Sequence, residues 1–106
     1  MTRSDAELVS DALAHIAALR RHLGRGDLAD ETIADAVGPR LAAAIEAVSQ
    51  TSATFREGAL GSDWKVIWAT RNRIAHGYAY VDLTIILDTV EHDLPEFERT
   101  LRRSLE

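Results

Sequence analysis

The sequence contains no cysteine, which excludes disulfide bonds, cysteine-ligated zinc or iron–sulfur sites and a cysteine nucleophile. Proline is scarce, with two residues in 106, and the six glycines lie at or near the ends of apolar patterns. The longest apolar run, 41–45, is too short to span a bilayer, and the first residues carry charges where a signal peptide needs an apolar segment. We therefore expect one soluble, cytoplasmic domain over residues 1–106, without membrane contact.

Basic residues are also fewer than acidic ones. Twelve Lys and Arg residues stand against seventeen Asp and Glu residues, which gives a formal net charge of −5. A protein that coats DNA or RNA carries the opposite balance, so any contact with nucleic acid must be local. Apolar residues make up 46% of the chain and charged residues 27%, which is the composition of an ordinary globular domain.

Helical patterns cover most of the chain. Ser4 and Glu7 have the spacing of a capping box, and apolar residues then recur at three or four positions until Gly24. A short helix is predicted over 30–37. We expect Pro39 to open the next helix, because proline suits the first turn. One face of that helix would carry Leu41, Ile45, Val48 and Phe55.

The second half of the chain continues the helical pattern. Gly58 and Gly61 predict a loop, and Asp63 is placed to cap the helix that follows. Asp82 is placed to cap a final helix, which Pro95 should kink or briefly break. The sequence thus predicts an all-α, up-and-down bundle of four main helices with a short extra helix and no strands.

The helix after Asp63 carries an arginine in the middle of its apolar stripe. At 100° per residue the stripe comprises Trp64, Ile67, Trp68, Ile74, Ala75 and Tyr78. Arg71 lies at the centre of this stripe. A guanidinium buried there without a partner costs several kcal/mol, so Arg71 must meet a carboxylate, a cleft or an anionic ligand.

Two polar residues border the stripe. Asn72 and His76 are four residues apart, a spacing at which an amide can hold an imidazole by a hydrogen bond. If Gly77 ends the helix, the chain can turn and bring Tyr78 close to His76. Arg, His and Tyr in one cleft suit phosphate chemistry. The structural alternative makes Arg71 a salt-bridge partner, His76 a cation at the helix end and Tyr78 a core residue.

The run 71–78, RNRIAHGY, resembles the R-x4-H-x-Y motif of HepT-like toxins in the HEPN superfamily of helical ribonucleases. The similarity extends over nearly the whole chain. It includes Trp64 and Ile67 before the motif, Val81 and Asp82 after it, and the segment 93–95, DLP. Two departures from the family pattern are Ser49-Gln50, where many relatives have Gly-Glu, and Thr70, where Met is common.

The resemblance implies a HEPN-type bundle that forms a homodimer and cleaves RNA without a metal or cofactor, by attack of the neighbouring 2′-hydroxyl. Arg71 and His76 would be catalytic and Asn72 supporting. Tyr78 would line the site and accept AMP from a cognate nucleotidyltransferase antitoxin. The alternative is a catalytically silent dimeric module that binds a nucleotide or docks a nucleotidyltransferase.

Three other features have simpler interpretations. We expect Trp64 and Trp68 to be core residues rather than platforms for nucleobases. Arg73, opposite the stripe, is predicted to be a solvated charge. The arginines near the carboxyl terminus are predicted to complement a helix dipole: Arg99, Arg102 and Arg103.

Overall fold

The computed structural model describes residues 3–75 and 83–106, and helices account for most of them. In chain order they are α1 (Asp5–Leu23), α2 (Glu31–Ser49), α3 (Ala53–Ala59), α4 (Asp63–Ala75), α5 (Leu83–Asp88), a π-helical turn (Thr89–Asp93) and α6 (Leu94–Ser104). No strand occurs in these two ranges. The all-α prediction is confirmed. Within the same ranges, no helix combines the length and apolar character needed to cross a membrane.

Helix α1 begins at the predicted capping box. The Ser4 hydroxyl accepts a hydrogen bond from the Glu7 backbone N–H at 3.1 Å, and the Glu7 carboxylate accepts one from the Ser4 backbone N–H at 3.4 Å. These bonds satisfy donors that a helix start leaves free. Gly24 caps the carboxyl end, and one apolar face is buried: Leu8, Val9, Ala12, Ile16, Ala18 and Leu19.

Helix α2 differs from the prediction, because the short helix over 30–37 and the helix opened by Pro39 are one continuous helix. Asp30 caps it by accepting a hydrogen bond from the Thr32 N–H at 2.9 Å. The apolar spacing continues unbroken past Pro39: Ile33, Ala34, Val37, Gly38, Leu41, Ala44, Ile45 and Val48 are all buried. Pro39 and Asp35 are exposed, so water can reach the Asp35 carbonyl that proline leaves unbonded. Burial of this face offsets the cost of the proline.

The placement of Phe55 on the same helix as Leu41 was also wrong. Helix α2 ends at Ser49, and Phe55 belongs to α3, whose N-cap residue Ser52 accepts a hydrogen bond from the Phe55 N–H at 3.1 Å. The serine also ties this turn to α1, because its N–H and hydroxyl each donate to the Asp5 carboxylate at 2.8 Å. Side-chain capping at Ser52 therefore starts a new helix where the apolar spacing alone predicts continuation.

The predicted glycine loop is correct only in part. Gly58 lies within α3, whereas Gly61 adopts a φ of 56° in the turn before α4. This left-handed conformation suits glycine because a side chain there meets the following carbonyl. The loop between α3 and α4 is therefore one short turn.

The final helical segment is interrupted where Pro95 predicts a kink. The π-helical turn occupies residues 89–93, and the Leu94 N–H bonds to the Thr89 carbonyl across five residues. Pro95 has no N–H to donate to the carbonyl four residues earlier, and its ring crowds the preceding turn. The wider π-helical turn makes room for the proline ring. The predicted cap at Asp82 and helix end at Gly77 lie outside the described residues.

The core lies mainly between α1 and α2, and α6 closes it against α1. The later helices contribute Ile86, Leu94, Phe97 and Leu101. Helix α4 packs on α2 but places a single described residue, Ile74, fully in the core. The helix that carries Arg71 is therefore held at the edge of the bundle.

Candidate functional site

The candidate site is built on the face of α4 that rests against α2. Ile74 is buried, while Trp64, Ile67 and Trp68 pack partly against the core. Arg71 lies within this face, and its side chain is 22% exposed. Of the predicted stripe, Ala75 is exposed, and Tyr78 lies outside the described residues. The stripe thus places Arg71 at a half-buried boundary.

Arg71 meets a carboxylate, as its position requires. Its Nη2 lies 2.9 Å from Oε2 of Glu46 on α2. Its Nη1 donates a hydrogen bond to Oδ1 of Asn72 at 3.1 Å, and its guanidinium stacks over the Trp68 ring, 4.8 Å from the centroid. Three side chains therefore fix the guanidinium, which serves a bidentate anion contact better than a free side chain does.

Sequence reasoning missed Glu46. It lies 25 positions before Arg71, next to the buried Ile45, at the border of the α2 apolar face. Its place beside Ile45 is a weak signal for a carboxylate facing a neighbouring helix. The register between α2 and α4 is needed to identify which carboxylate Arg71 meets.

The ion pair is close but poorly aligned. Although Nη2 and Oε2 are 2.9 Å apart, their geometry does not satisfy a hydrogen bond, and Oε2 has no hydrogen-bond partner among the described residues. Arg71 Nε is buried and likewise has no partner in this part of the chain. We take the 2.9 Å separation as an ion pair, because charge attraction depends less on angle than hydrogen bonding does. Within residues 3–75 and 83–106, part of the donor capacity of Arg71 is therefore unused.

Both tryptophans of the chain lie on α4, Trp68 beside Arg71 and Trp64 beside Arg56. The Trp64 and Trp68 ring centroids are 5.8 Å apart with planes tilted by 31°, and Arg56 of α3 lies 5.7 Å from the Trp64 centroid. Arg56 is held in turn by the carbonyls of Ser49 and Thr51. The indoles therefore contact the guanidinium groups and each other, as expected of packing residues, although both are only partly buried.

The remaining predicted site residues have different outcomes. Asn72 is predicted to hold His76, and the structure shows its Oδ1 bonded to Arg71. His76 and Tyr78 lie outside the described residues, so their roles stay predictions. Arg73 is exposed, as expected of a solvated charge.

The departures from the family pattern are accommodated locally. The Ser49 hydroxyl donates to the Glu46 carbonyl at 2.6 Å, and the Thr70 hydroxyl donates to the Val66 carbonyl at 3.0 Å. Each hydroxyl is thus satisfied by its own helix. Gln50 lies just past the end of α2 and is exposed. None of the three perturbs the contacts of Arg71.

A groove of about 750 Å³ opens on the other side of α4, towards the π-helical turn and α6. Its apolar floor includes Leu41, Ile45 and Phe97, and one wall carries Val66 and Ile67 of α4. Polar and charged residues stand among the lining side chains: Asp63, His92, Asp93, Glu96 and Arg103. An apolar floor with a charged rim is typical of a surface that a partner covers.

Comparison with known proteins identifies the family. The sequence profile described as ribonuclease HepT-like matches residues 9–104. The chain belongs to the ribonuclease HepT-like family. No curated protein and no solved structure matches it. The HepT-like match runs from the first turns of α1 to the end of α6, so it includes α4 and the Arg71 site.

Proposed function

We propose that the chain is a metal-independent endoribonuclease and the toxin of a toxin–antitoxin pair. The observation that carries the proposal is the anchored Arg71. In a member of a ribonuclease family, a guanidinium held by Trp68 and Asn72 lies five positions before a histidine. Such a guanidinium is suited to bind the scissile phosphate and the negative charge that develops on it.

RNA supplies its own nucleophile. The 2′-hydroxyl attacks the adjacent phosphorus, the bond to the 5′-oxygen breaks, and a 2′,3′-cyclic phosphate remains. The enzyme needs only to orient the phosphate, neutralise its charge and transfer protons. Arg71 does the first two, and His76, whose ordinary pKa lies near neutrality, transfers the protons. Asn72 helps to hold the imidazole.

A homodimer completes the site in this proposal. Helix α4 leaves Val66 67% exposed and its tryptophans partly uncovered, and the groove beside it is apolar at its floor. A second copy that packs along α4, over Val66 on the groove side and over the partly uncovered tryptophans on the Arg71 side, buries this apolar surface. The family resemblance implies that two Arg71 and His76 pairs then share one cleft.

The antitoxin in this proposal is a nucleotidyltransferase that transfers AMP to Tyr78. The tyrosine oxygen attacks the α-phosphorus of ATP, pyrophosphate leaves, and the phenolic proton passes to solvent or to a base of the partner enzyme. The product carries a phosphodiester anion two positions after His76. That anion competes with RNA phosphate for Arg71.

An RNase assay on unmodified protein, made without the nucleotidyltransferase, tests the proposal. We expect cleavage in the presence of a chelator, products that end in a 2′,3′-cyclic phosphate, and loss of cleavage in His76→Ala with its helical circular dichroism preserved. Binding of RNA without cleavage would instead support the silent module. Unfolding of the His76→Ala variant would support a structural role for the histidine.

Co-expression with the nucleotidyltransferase tests the covalent step. Peptide mass spectrometry should show an AMP increment on Tyr78, and Tyr78→Phe should abolish it. An increment on Tyr80, or protection of cells without modification, would contradict the proposed mechanism.

A further inference from the structure

Glu46 stands at the edge of Arg71 that a phosphate would use. A guanidinium offers two parallel donors along the edge formed by Nε and Nη2, which matches the spacing of two phosphate oxygens. Along this edge of Arg71, Nη2 faces Glu46 Oε2 and Nε has no partner among the described residues. The opposite nitrogen, Nη1, is committed to Asn72.

The contact between Glu46 and Arg71 is one that an anion can replace. Its geometry fails as a hydrogen bond, and a single carboxylate oxygen approaches a single nitrogen. The Glu46 side chain is 42% exposed although its Oε2 is buried against Arg71, so rotation of the side chain would move that oxygen into water. The stack on Trp68 and the bond to Asn72 would keep the guanidinium in place when Glu46 leaves.

We propose that Glu46 is a positioning residue that competes with the substrate phosphate for Arg71. It neutralises the arginine in the free enzyme, and the RNA phosphate displaces it from Nη2. Glu46 therefore weakens ground-state binding of anions and excludes weakly bound ones. The inference rests on the proposed function, and it names a residue of the same site for which the motif gives no role.

Glu46→Gln is the test, with Glu98→Gln as its matched control. Glu98 also pairs with arginines, at 2.7 Å from Arg20 and 3.0 Å from Arg102, but it lies on α6. Both substitutions change the net charge equally; Glu46→Gln removes one ion pair and Glu98→Gln removes two. A difference between the two variants therefore reports on the site rather than on overall charge.

Two readouts are needed. The first is KM and kcat on a defined single-stranded RNA. The second is titration of inorganic phosphate, followed by the NMR signal of the Arg71 Nε–H, which requires no cleavage. In Glu46→Gln we expect KM and the phosphate Kd to fall by about two- to fivefold, the range for a partly exposed charge pair, with little change in kcat. Glu98→Gln should match the wild type in both.

Equal constants in the two variants, or weaker phosphate binding in Glu46→Gln, would overturn the inference. If Glu46→Gln loses its helical circular dichroism, Glu46→Ala is measured in its place, since alanine favours the helix and leaves no polar atom at this half-buried position. If the wild type cleaves no RNA, the proposed ribonuclease activity fails. The phosphate titration still decides whether Glu46 competes for Arg71.

Discussion

Helices α2 and α4 pack against each other, yet they are built differently. Eight residues of α2 are buried and its apolar face runs its whole length, even past a proline. Helix α4 buries only Ile74 among its residues and keeps Val66, Trp64 and Trp68 accessible or half-covered. Helix α2 therefore supplies stability, whereas α4, which lies at the edge of the bundle, carries the candidate site.

The largest expected effect is on α4. Arg71→Ala should lower cleavage by about a hundredfold or more, because in the proposed mechanism Arg71 binds the negative charge that develops on the phosphate. The free energy of unfolding should change by only about 1 kcal/mol, the upper range for a partly exposed ion pair. RNA cleavage and urea unfolding measure the two effects. A fully active Arg71→Lys variant would contradict bidentate phosphate binding, since lysine lacks the paired donors.

Replacing a valine by alanine on each helix compares what α2 and α4 contribute to stability. Val37 of α2 is completely buried and Val66 of α4 is 67% exposed. Val37→Ala should lower the free energy of unfolding by about 2 kcal/mol, from lost burial and a residual cavity. Val66→Ala should change it by less than about 0.5 kcal/mol. Equal losses in urea titrations would show that α4 is part of the core after all.

A charge on the exposed face of α4 tests the dimer. Sedimentation at micromolar concentration should give twice the 11.7 kDa chain mass for the wild type. Val66→Asp should give the chain mass alone, because an unpaired carboxylate is costly in an apolar interface. Leu87→Asp, the same kind of change on α5, serves as the control. A dimer that survives Val66→Asp would place the interface elsewhere.

The smallest expected effect lies far from α4, where the turn after α2 is tied to α1. Two hydrogen bonds hold the pKa of Asp5 below its usual 3.8: the one from the Ser52 N–H has the larger effect and the one from the Ser52 hydroxyl the smaller. A lowered pKa in the folded state stabilises the fold above the ordinary pKa, and this contribution disappears as pH falls through the folded value. The wild type should therefore exceed Asp5→Asn in stability at neutral pH and lose that advantage in acid.

Urea unfolding of both proteins across this pH range measures the advantage. Asp35→Asn, which changes an exposed aspartate of α2, is the control. A difference between wild type and Asp5→Asn that persists at low pH would assign the effect to packing rather than to the charge.

Local signals predicted the helix class and several helix ends. The capping box at Ser4 and the interruption before Pro95 depend on residues close together in the sequence, and the structure contains both. The predicted helix start at Pro39 was wrong because burial along α2 outweighs the cost of a proline within the helix. The predicted position of Phe55 was wrong because capping by Ser52 starts a new helix, although the apolar spacing predicts that the earlier one continues.

For the candidate site, the sequence predicts that Arg71 needs a partner but does not identify that partner. The apolar stripe predicts that Arg71 meets a carboxylate, a cleft or an anionic ligand, and the structure shows the Glu46 carboxylate there. Which carboxylate lies there depends on how α2 and α4 are offset. At Gly38, for example, a Cβ would lie 3.8 Å from the Ile74 Cγ2 of α4 and 3.2 Å from the Ile86 Cδ1 of α5. Such a contact between distant residues leaves no periodic trace in the sequence.

The two tryptophans make the protein its own optical reporter. Because the chain has no other indole, fluorescence excited at the indole band comes entirely from α4, one ring beside Arg71 and the other beside Arg56. Rings 5.8 Å apart also exchange excitation, so their near-ultraviolet circular dichroism responds to a small rotation of either ring. Movement of the guanidinium as an anion binds can therefore be followed in real time by tryptophan fluorescence, without a label, because no other helix contains a tryptophan.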